Sequence, residues 1–334
     1  MISNKLAIDF DSVYTNIFVL GSGLVLSEPT VAAISQDGKK EVKAVGYEAK
    51  KLIGKTAKNT KIVFPIFEGE VVNEGVAEGL LSTFLKKVEL KNGLFGSHAL
   101  FSVPCGVTGD IIFKLKNVAQ NSGISNVYFV EAPLLAALGQ RIKLTESSPC
   151  FVIDLGGGVT NVAAVSLDGV IAGVSVNFGY NKVSTDIIDY IAENYGLQIG
   201  LTTAERLKND IGSLDMYDAL STVVSGRDVV TGAPKSITIK ANDIFNAVKK
   251  YYEKIAEIAT TVLGKLPPEV SAEIRKAGFY VSGIGSSVYG LKNFYKGIFE
   301  IDVNIPENAS AVVALGGGVV LGDNKLLKKL SIPV

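Results

Sequence analysis

The stretch IDFDSVYTNI at residues 8–17 returns as IDLGGGVTNV at 153–162, and the two align without a gap. Each copy ends an apolar run on an aspartate, Asp9 or Asp154, and each begins a Thr-Asn pair six residues later. A turn kept twice in one chain restricts the fold to architectures with two related halves. The length of 334 residues suits two domains of common size, with a cleft expected between them.

The segments around the two copies repeat as well. KLAIDF, TNIFVL and PTVAAIS read as three strands in the first half; CFVIDL, TNVAAVSL and GVIAGVSVNF read as three in the second. A helix follows the second set in STDIIDYIAENYG, with Ser184 as N-cap and Gly196 as stop. In the first half a polar segment, 36–73, delays the helix to EGVAEGLLSTFLKKVEL, where Val76, Leu80, Leu81, Phe84, Leu85 and Val88 share one face. A long amphipathic helix starts at Asn242, with Ile244, Val248, Ile255, Ile258 and Val262 at helical spacing. Before it, residues 200–240 read as an inserted subdomain that ends in the hairpin SGRDVVTGAPKSITIK. The fold class is therefore α/β, built from two duplicated halves that each carry an insertion.

A turn between two strands can point successive N–H groups inward and bind an anion, and glycine lets a phosphate approach the main chain. Gly156, Gly157 and Gly158 suit that role, and Asp9 and Asp154 at the strand ends suit magnesium, held directly or through water. DLGGG alone also fits an ordinary glycine hairpin; the repeat is what argues for two facing phosphate turns. Two further clusters, Gly283 with Gly285 and the run 316–318, read as strand-to-helix turns able to approach a base and ribose.

Composition removes several other functions. Lys plus Arg and Asp plus Glu both number 33, so no bulk charge draws the chain to nucleic acid. A single His and two scattered cysteines leave no His/Cys zinc site and no His-based triad. Cys105 and Cys150 sit in or beside strand-like runs and read as reduced core thiols. No secretory leader opens the sequence and no apolar run reaches membrane-spanning length, so a cytoplasmic protein is expected.

The order of these segments resembles the actin and heat-shock chaperone superfamily, and within it the MreB-type bacterial actins. GLVLSEPTVAAI, VVNEGVAEG, SVPCGVTG, EAPLLAALG, TTAERLKNDIGS and GRDVVTGAPKSITI are similar to MreB segments in the same order over nearly the whole chain. The resemblance implies an actin-like fold with two ribonuclease-H-like halves and a nucleotide cleft. It divides the chain into 1–32 with 74–142 and 315–334 as the first core, 33–73 as its insertion, 143–182 with 242–314 as the second core, and 183–241 as its insertion. It also implies ATP or ADP with Mg2+, filaments of this chain alone or with related bacterial actins, and a peripheral place at the inner face of the cytoplasmic membrane. Cell-shape or motility proteins are the implied partners.

Carried over by position, Asp9 and Asp154 face magnesium, and Asp154 also faces the attacking water. Ser12, Val13 and Tyr14 lie at the phosphates together with Gly156, Gly157, Gly158, Val159 and Thr160. Glu205 and Lys208, within the Glu205, Arg206, Leu207, Lys208 segment, reach the nucleoside, and Gly283, Ile284, Gly285, Ser286 and Ser287 border the adenosine. An apolar loop inserts into lipid in such proteins, and Leu94 and Phe95 stand at that point, flanked by Gly93 and Gly96.

The chain departs from the family pattern where chemistry would occur. The first turn has Asp11, Ser12, Val13 and Tyr14 in place of the family's Gly, Thr, Ala and Asn, and a carboxylate beside a phosphate is expected to weaken nucleotide affinity. Ala132 occupies the position of the water-activating carboxylate. Glu131 is adjacent, but neighbouring helical residues point about 100° apart, so it is a poor substitute. Val159, Asn161, Tyr180, Asn181 and Lys182 depart too, and Ile284 interrupts the adenosine-side glycines. At most a weak ATPase is expected. A small-molecule kinase on the same fold and a chaperone-like ATPase that does not polymerise remain as alternatives.

Overall fold

The computed structural model describes residues 4–36, 41–88, 90, 96–142, 144–145 and 148–333. Leu94 and Phe95, expected in a membrane loop, lie outside the described residues.

Two five-stranded mixed sheets dominate. In the first, Asn126–Glu131, His98–Val103 and Lys5–Phe10 run parallel, and Tyr14–Val19 and Gly23–Pro29 follow antiparallel. In the second, Val303–Asn304, Phe279–Ser282 and Cys150–Leu155 run parallel, and Thr160–Ser166 and Gly169–Val176 follow antiparallel. The hairpins that carry the repeat pair in the same register, Asp9 opposite Asn16 and Asp154 opposite Asn161. The sequence duplication is thus a duplication of strand pairing.

The third strand of the first half is not PTVAAIS. Gly23–Pro29 takes that place as a largely exposed edge strand, while Ala32–Ser35, buried at all four positions, joins Val42–Val45 and Thr60–Val63 in a separate three-stranded sheet. The apolar run goes where both its faces are covered. The hairpin of Ser221–Asp228 and Pro234–Lys240 forms as expected, and Leu197–Gln198 extends it.

The helix Glu74–Lys87 buries Val76, Leu80, Leu81, Phe84 and Leu85, with Asn73 as its N-cap. The long helix Ala241–Leu263 buries Ile244, Val248, Ile255 and Val262 along its apolar face. Tyr251 and Tyr252 are fully buried on the same helix, and these were not among the positions expected from spacing. The helix after the second repeat begins at Asn181 and not behind Ser184, which lies inside its first turn with a buried hydroxyl that has no hydrogen-bond partner. The backbone N–H groups of Tyr180 and Asn181 donate to Gly156 O at 2.9 Å and Gly157 O at 3.0 Å, so the glycine turn starts this helix early. Gly196 ends it in the left-handed region, as its position indicated.

Between the two sheets lie two helices, Ala132–Gly139 and Val312–Gly322, in a shared core with Ala7, Leu100, Val152 and Val165. Both are apolar on nearly every face, as helices enclosed on all sides must be. The run 316–318 is therefore not a nucleotide turn. It lies inside the helix Val312–Gly322 and allows close approach on two sides: a Cβ on Gly316 would overlap the carbonyl oxygen of Leu135, as one on Gly139 would overlap that of Val312, while Gly317 and Gly318 face Ala7 and Phe18 of the first sheet. Among the described residues no single helix is long and apolar enough to cross a membrane.

Candidate functional site

The two repeated turns face each other across the cleft. Asp9 accepts from Ser102 Oγ at 2.7 Å and Asn16 Nδ2 at 3.5 Å; Asp154 accepts from Ser282 Oγ at 2.8 Å and Asn161 Nδ2 at 3.2 Å. Each aspartate is thus held by an asparagine on its hairpin partner and a serine at the end of its parallel neighbour. The asparagines were visible in the repeat. The serines were not, because their strands lie far from the motifs in sequence.

Asp9, Asp11 and Asp154 open onto one small cavity, which Ala132 and Val159 also line. Desolvation, then the charge of Asp11, pushes Asp9 up to about 7; desolvation pushes Asp154 up to about 6 against the hydrogen bonds of Ser282 and Asn161. Asp11 is also raised, by desolvation, against the backbone N–H groups of Gly157, Ser12, Val13 and Gly158. Three carboxylates drawn together out of water are a set that a cation relieves. Among the described residues no group of three or more acidic, His or Cys side chains is arranged to hold a metal alone, so a bound ion would need ligands from water and phosphate as well.

The expected phosphate residues do not all meet here. Ser12, Val13 and Gly158 lie where the turns touch, and Ser12 Oγ is buried without a hydrogen-bond partner. Thr160 faces the other way, its hydroxyl bonding Phe178 O and Tyr251 Oη at 2.8 Å each. Val159, just before the strand, lines the cavity, so these two consecutive residues point to opposite sides.

A wider pocket of about 450 Å³ lies on the far side of the turns. Glu205, Lys208, Gly283, Ile284, Ser286 and Ser287, expected at the nucleoside, line it together with Val13 and Tyr14, expected at the phosphates. Arg206 and Leu207 do not: Arg206 turns to Val223 O at 3.1 Å, and Leu207 is fully buried in the core. These two fall on other faces of the helix Leu201–Ile211. Gly285 is packed beneath Leu155 and Tyr180, and its carbonyl accepts from Tyr252 Oη at 2.7 Å. Glu205 also pairs with Lys50 at 2.9 Å, which joins the helices Leu201–Ile211 and Gly46–Lys50 across the pocket.

Glu131 is the last residue of its strand and the N-cap of the helix Ala132–Gly139, not a helical neighbour of Ala132. Its carboxylate accepts from Gly106 N at 2.8 Å and does not line the cavity, whereas Ala132 does. Cys105 and Cys150 are free, and burial pushes both thiols up to about 12.

Lys208 is nearly enclosed, with Nζ 3.4 Å from Tyr180 O and 4.0 Å from the centre of the Tyr180 ring. Burial lowers it from its ordinary 10.5 to about 8, Glu205 opposing and Lys50 adding to the fall. Between these values the unfolded chain holds this proton more tightly, so this group's contribution makes stability rise with pH. Lys208→Met is expected to stabilise the ligand-free protein by about 1–3 kcal/mol at neutral pH. The gain should shrink between about pH 8 and 9.5, where the folded protein sheds this charge. Paired urea titrations across that range measure it, and a gain independent of pH would contradict the burial argument.

A family model described as MreB/Mbl protein matches residues 3–329. The cell shape-determining protein MreB of Escherichia coli (strain K12) is 35% identical over 326 residues, covering 96% of this chain and 94% of its own. The cell shape-determining protein Mbl of Bacillus subtilis (strain 168) is 32% identical over 332 residues, covering 98% and 99%. The crystal structure of MreB 5 of Spiroplasma citri bound to AMPPNP matches with a TM-score of 0.92 at 29% identity, over 98% of each chain. The actin-like fold expected from the segment order is thus the fold found. With two duplicated halves, facing turns and a match that spans both, the chain belongs to the MreB/Mbl family.

Proposed function

We propose that this chain is a filament-forming bacterial actin of the cell-shape class that takes ATP or ADP with magnesium between its halves and turns it over slowly. The observation that carries this reading is the pair of Asp-Asn-Ser sets facing each other across one cleft. A duplicated carboxylate beside a duplicated turn suits a metal-bound polyphosphate gripped from both sides.

In this reading the wider pocket takes the adenosine, with Glu205 and Lys208 on one wall and Ser286 and Ser287 on another. Asp9 and Asp154 would hold magnesium through water, and the bound ion would neutralise phosphate charge. Ser102 and Ser282 orient those carboxylates. Ala132 offers no proton acceptor, and Glu131 is engaged with Gly106. A missing general base typically costs about 10²–10⁴ in rate. The relatives named cell shape-determining support the cytoskeletal role, and the AMPPNP-bound structure supports the nucleotide. Attachment to the inner face of the cytoplasmic membrane would fall to the loop at Leu94 and Phe95, strengthened by the many copies in a polymer.

Sedimentation over a concentration series, without nucleotide and with magnesium and ATP, tests the proposal. Cooperative pelleting above a critical concentration in magnesium and ATP is expected. A protein that stays in the supernatant in both conditions would remove the filament and favour a client-binding ATPase.

A further inference from the structure

The first turn does not merely lack glycine; it reaches into the second. Asp11 Oδ2 accepts from Gly157 N at 3.0 Å. The same carboxylate lies against the glycine turn, within 4 Å of a Cβ built on Gly156 or Gly157, and the backbone N–H groups of Ser12, Val13 and Gly158 hold its pKa down against burial. Convergent main-chain N–H groups from two turns form the kind of concavity that binds phosphate, and here a carboxylate of the chain fills it. The packing agrees. A Cβ on Gly157 would overlap Val13, and one on Gly158 would overlap Ser12, so the turns are in van der Waals contact. The cavity on the Ala132 side is small, about 80 Å³.

We propose that Asp11 is a built-in occupant of the anion cradle: it holds the two turns closed without ligand, and a polyphosphate must displace it to bind. The competition half of this proposal rests on the nucleotide reading above; the closure half does not. The carboxylate and a phosphate compete for the same donors, so apparent nucleotide affinity is the intrinsic affinity scaled by the fraction of molecules in which Asp11 has left. The lost glycine therefore has a positive consequence as well as a repulsive one. It ties the two turns to each other directly.

The test uses the full chain and the variants Asp11→Gly and Asp11→Asn. Hydrogen exchange at the Gly157 and Gly158 amides without nucleotide reads closure, and calorimetry with magnesium and ATP, and separately with inorganic tripolyphosphate, reads competition. Asp11→Gly is expected to exchange those amides at least about tenfold faster and to bind ATP and tripolyphosphate about tenfold or more tighter. Asp11→Asn keeps one acceptor oxygen and should fall between; it also serves if the glycine variant does not fold. Unchanged exchange in both variants overturns the closure, and affinities equal within twofold overturn the competition. Faster exchange with no ATP bound by any of the three proteins leaves the closure standing and defeats the nucleotide reading instead.

Discussion

Ala132→Glu is expected to raise the rate of nucleotide hydrolysis about 10²-fold, equivalent to about 2.7 kcal/mol of barrier. Ala132 begins the helix Ala132–Gly139 and lines the cavity shared by Asp9, Asp11 and Asp154. A carboxylate at a helix N-terminus is favoured by the backbone dipole, and this one would point at the space beyond the phosphate turns. Opposing that, it would be the fourth carboxylate around a small cavity, a cost that magnesium must offset. The gain should therefore depend on magnesium and be larger when Asp11→Gly is added. Ala132→Gln separates two roles, because it can orient a water but cannot take its proton. Single-turnover phosphate release by the parent, the two Ala132 variants, Asp11→Gly and the Ala132→Glu/Asp11→Gly double variant, with and without magnesium, measures all of this. If the glutamate variant folds, binds ATP and hydrolyses it no faster, slow turnover has its cause elsewhere in the cleft.

The largest loss of stability is expected at the contact between the central helices. Gly316→Val should cost about 3 kcal/mol or more, and Gly139→Val a similar amount, because neither backbone carbonyl opposite can turn away without breaking its own helix. The two substitutions should be strongly non-additive, since either one already forces the helices apart. Gly297 is the control. It lies in the helix Leu291–Phe299, and nothing stands within 4 Å of a Cβ built there. Gly297→Ala should therefore stabilise by about 0.5–1 kcal/mol through the unfolded chain alone. Urea midpoints of these three variants and of the Gly139→Val/Gly316→Val double variant decide the matter. A Gly316→Val protein as stable as the parent would mean that the helices are not packed backbone to backbone.

Much of this architecture can be read without coordinates. The repeated Asp and Thr-Asn positions foretell two hairpins in one register, because register follows directly from residue spacing once the strands pair. The amphipathic helices at 74–87 and 241–263 follow from periodicity, since a helix must hide one stripe. Misreadings occur where a local pattern has two uses. VAAIS is equally good strand material for either sheet, and only the supply of covering partners assigns it to the small one. The glycines at 316–318 suit a turn or a close helix contact, and local chemistry is the same for both. Ser184 is a sound N-cap by type, yet the carbonyls of Gly156 and Gly157 capture the backbone one turn earlier.

The sequence by itself determined the duplication, the two aspartates, the alanine at 132 and the absent glycine at 11, because these are matters of identity and spacing. Only the tertiary structure decided what fills the space between the turns. Whether Asp11 repels a phosphate or replaces one depends on donors 146 residues away, at Gly157, whose direction is set by strand pairing and by the helix behind them. Local residues specify a side chain's charge. The fold specifies what that charge faces.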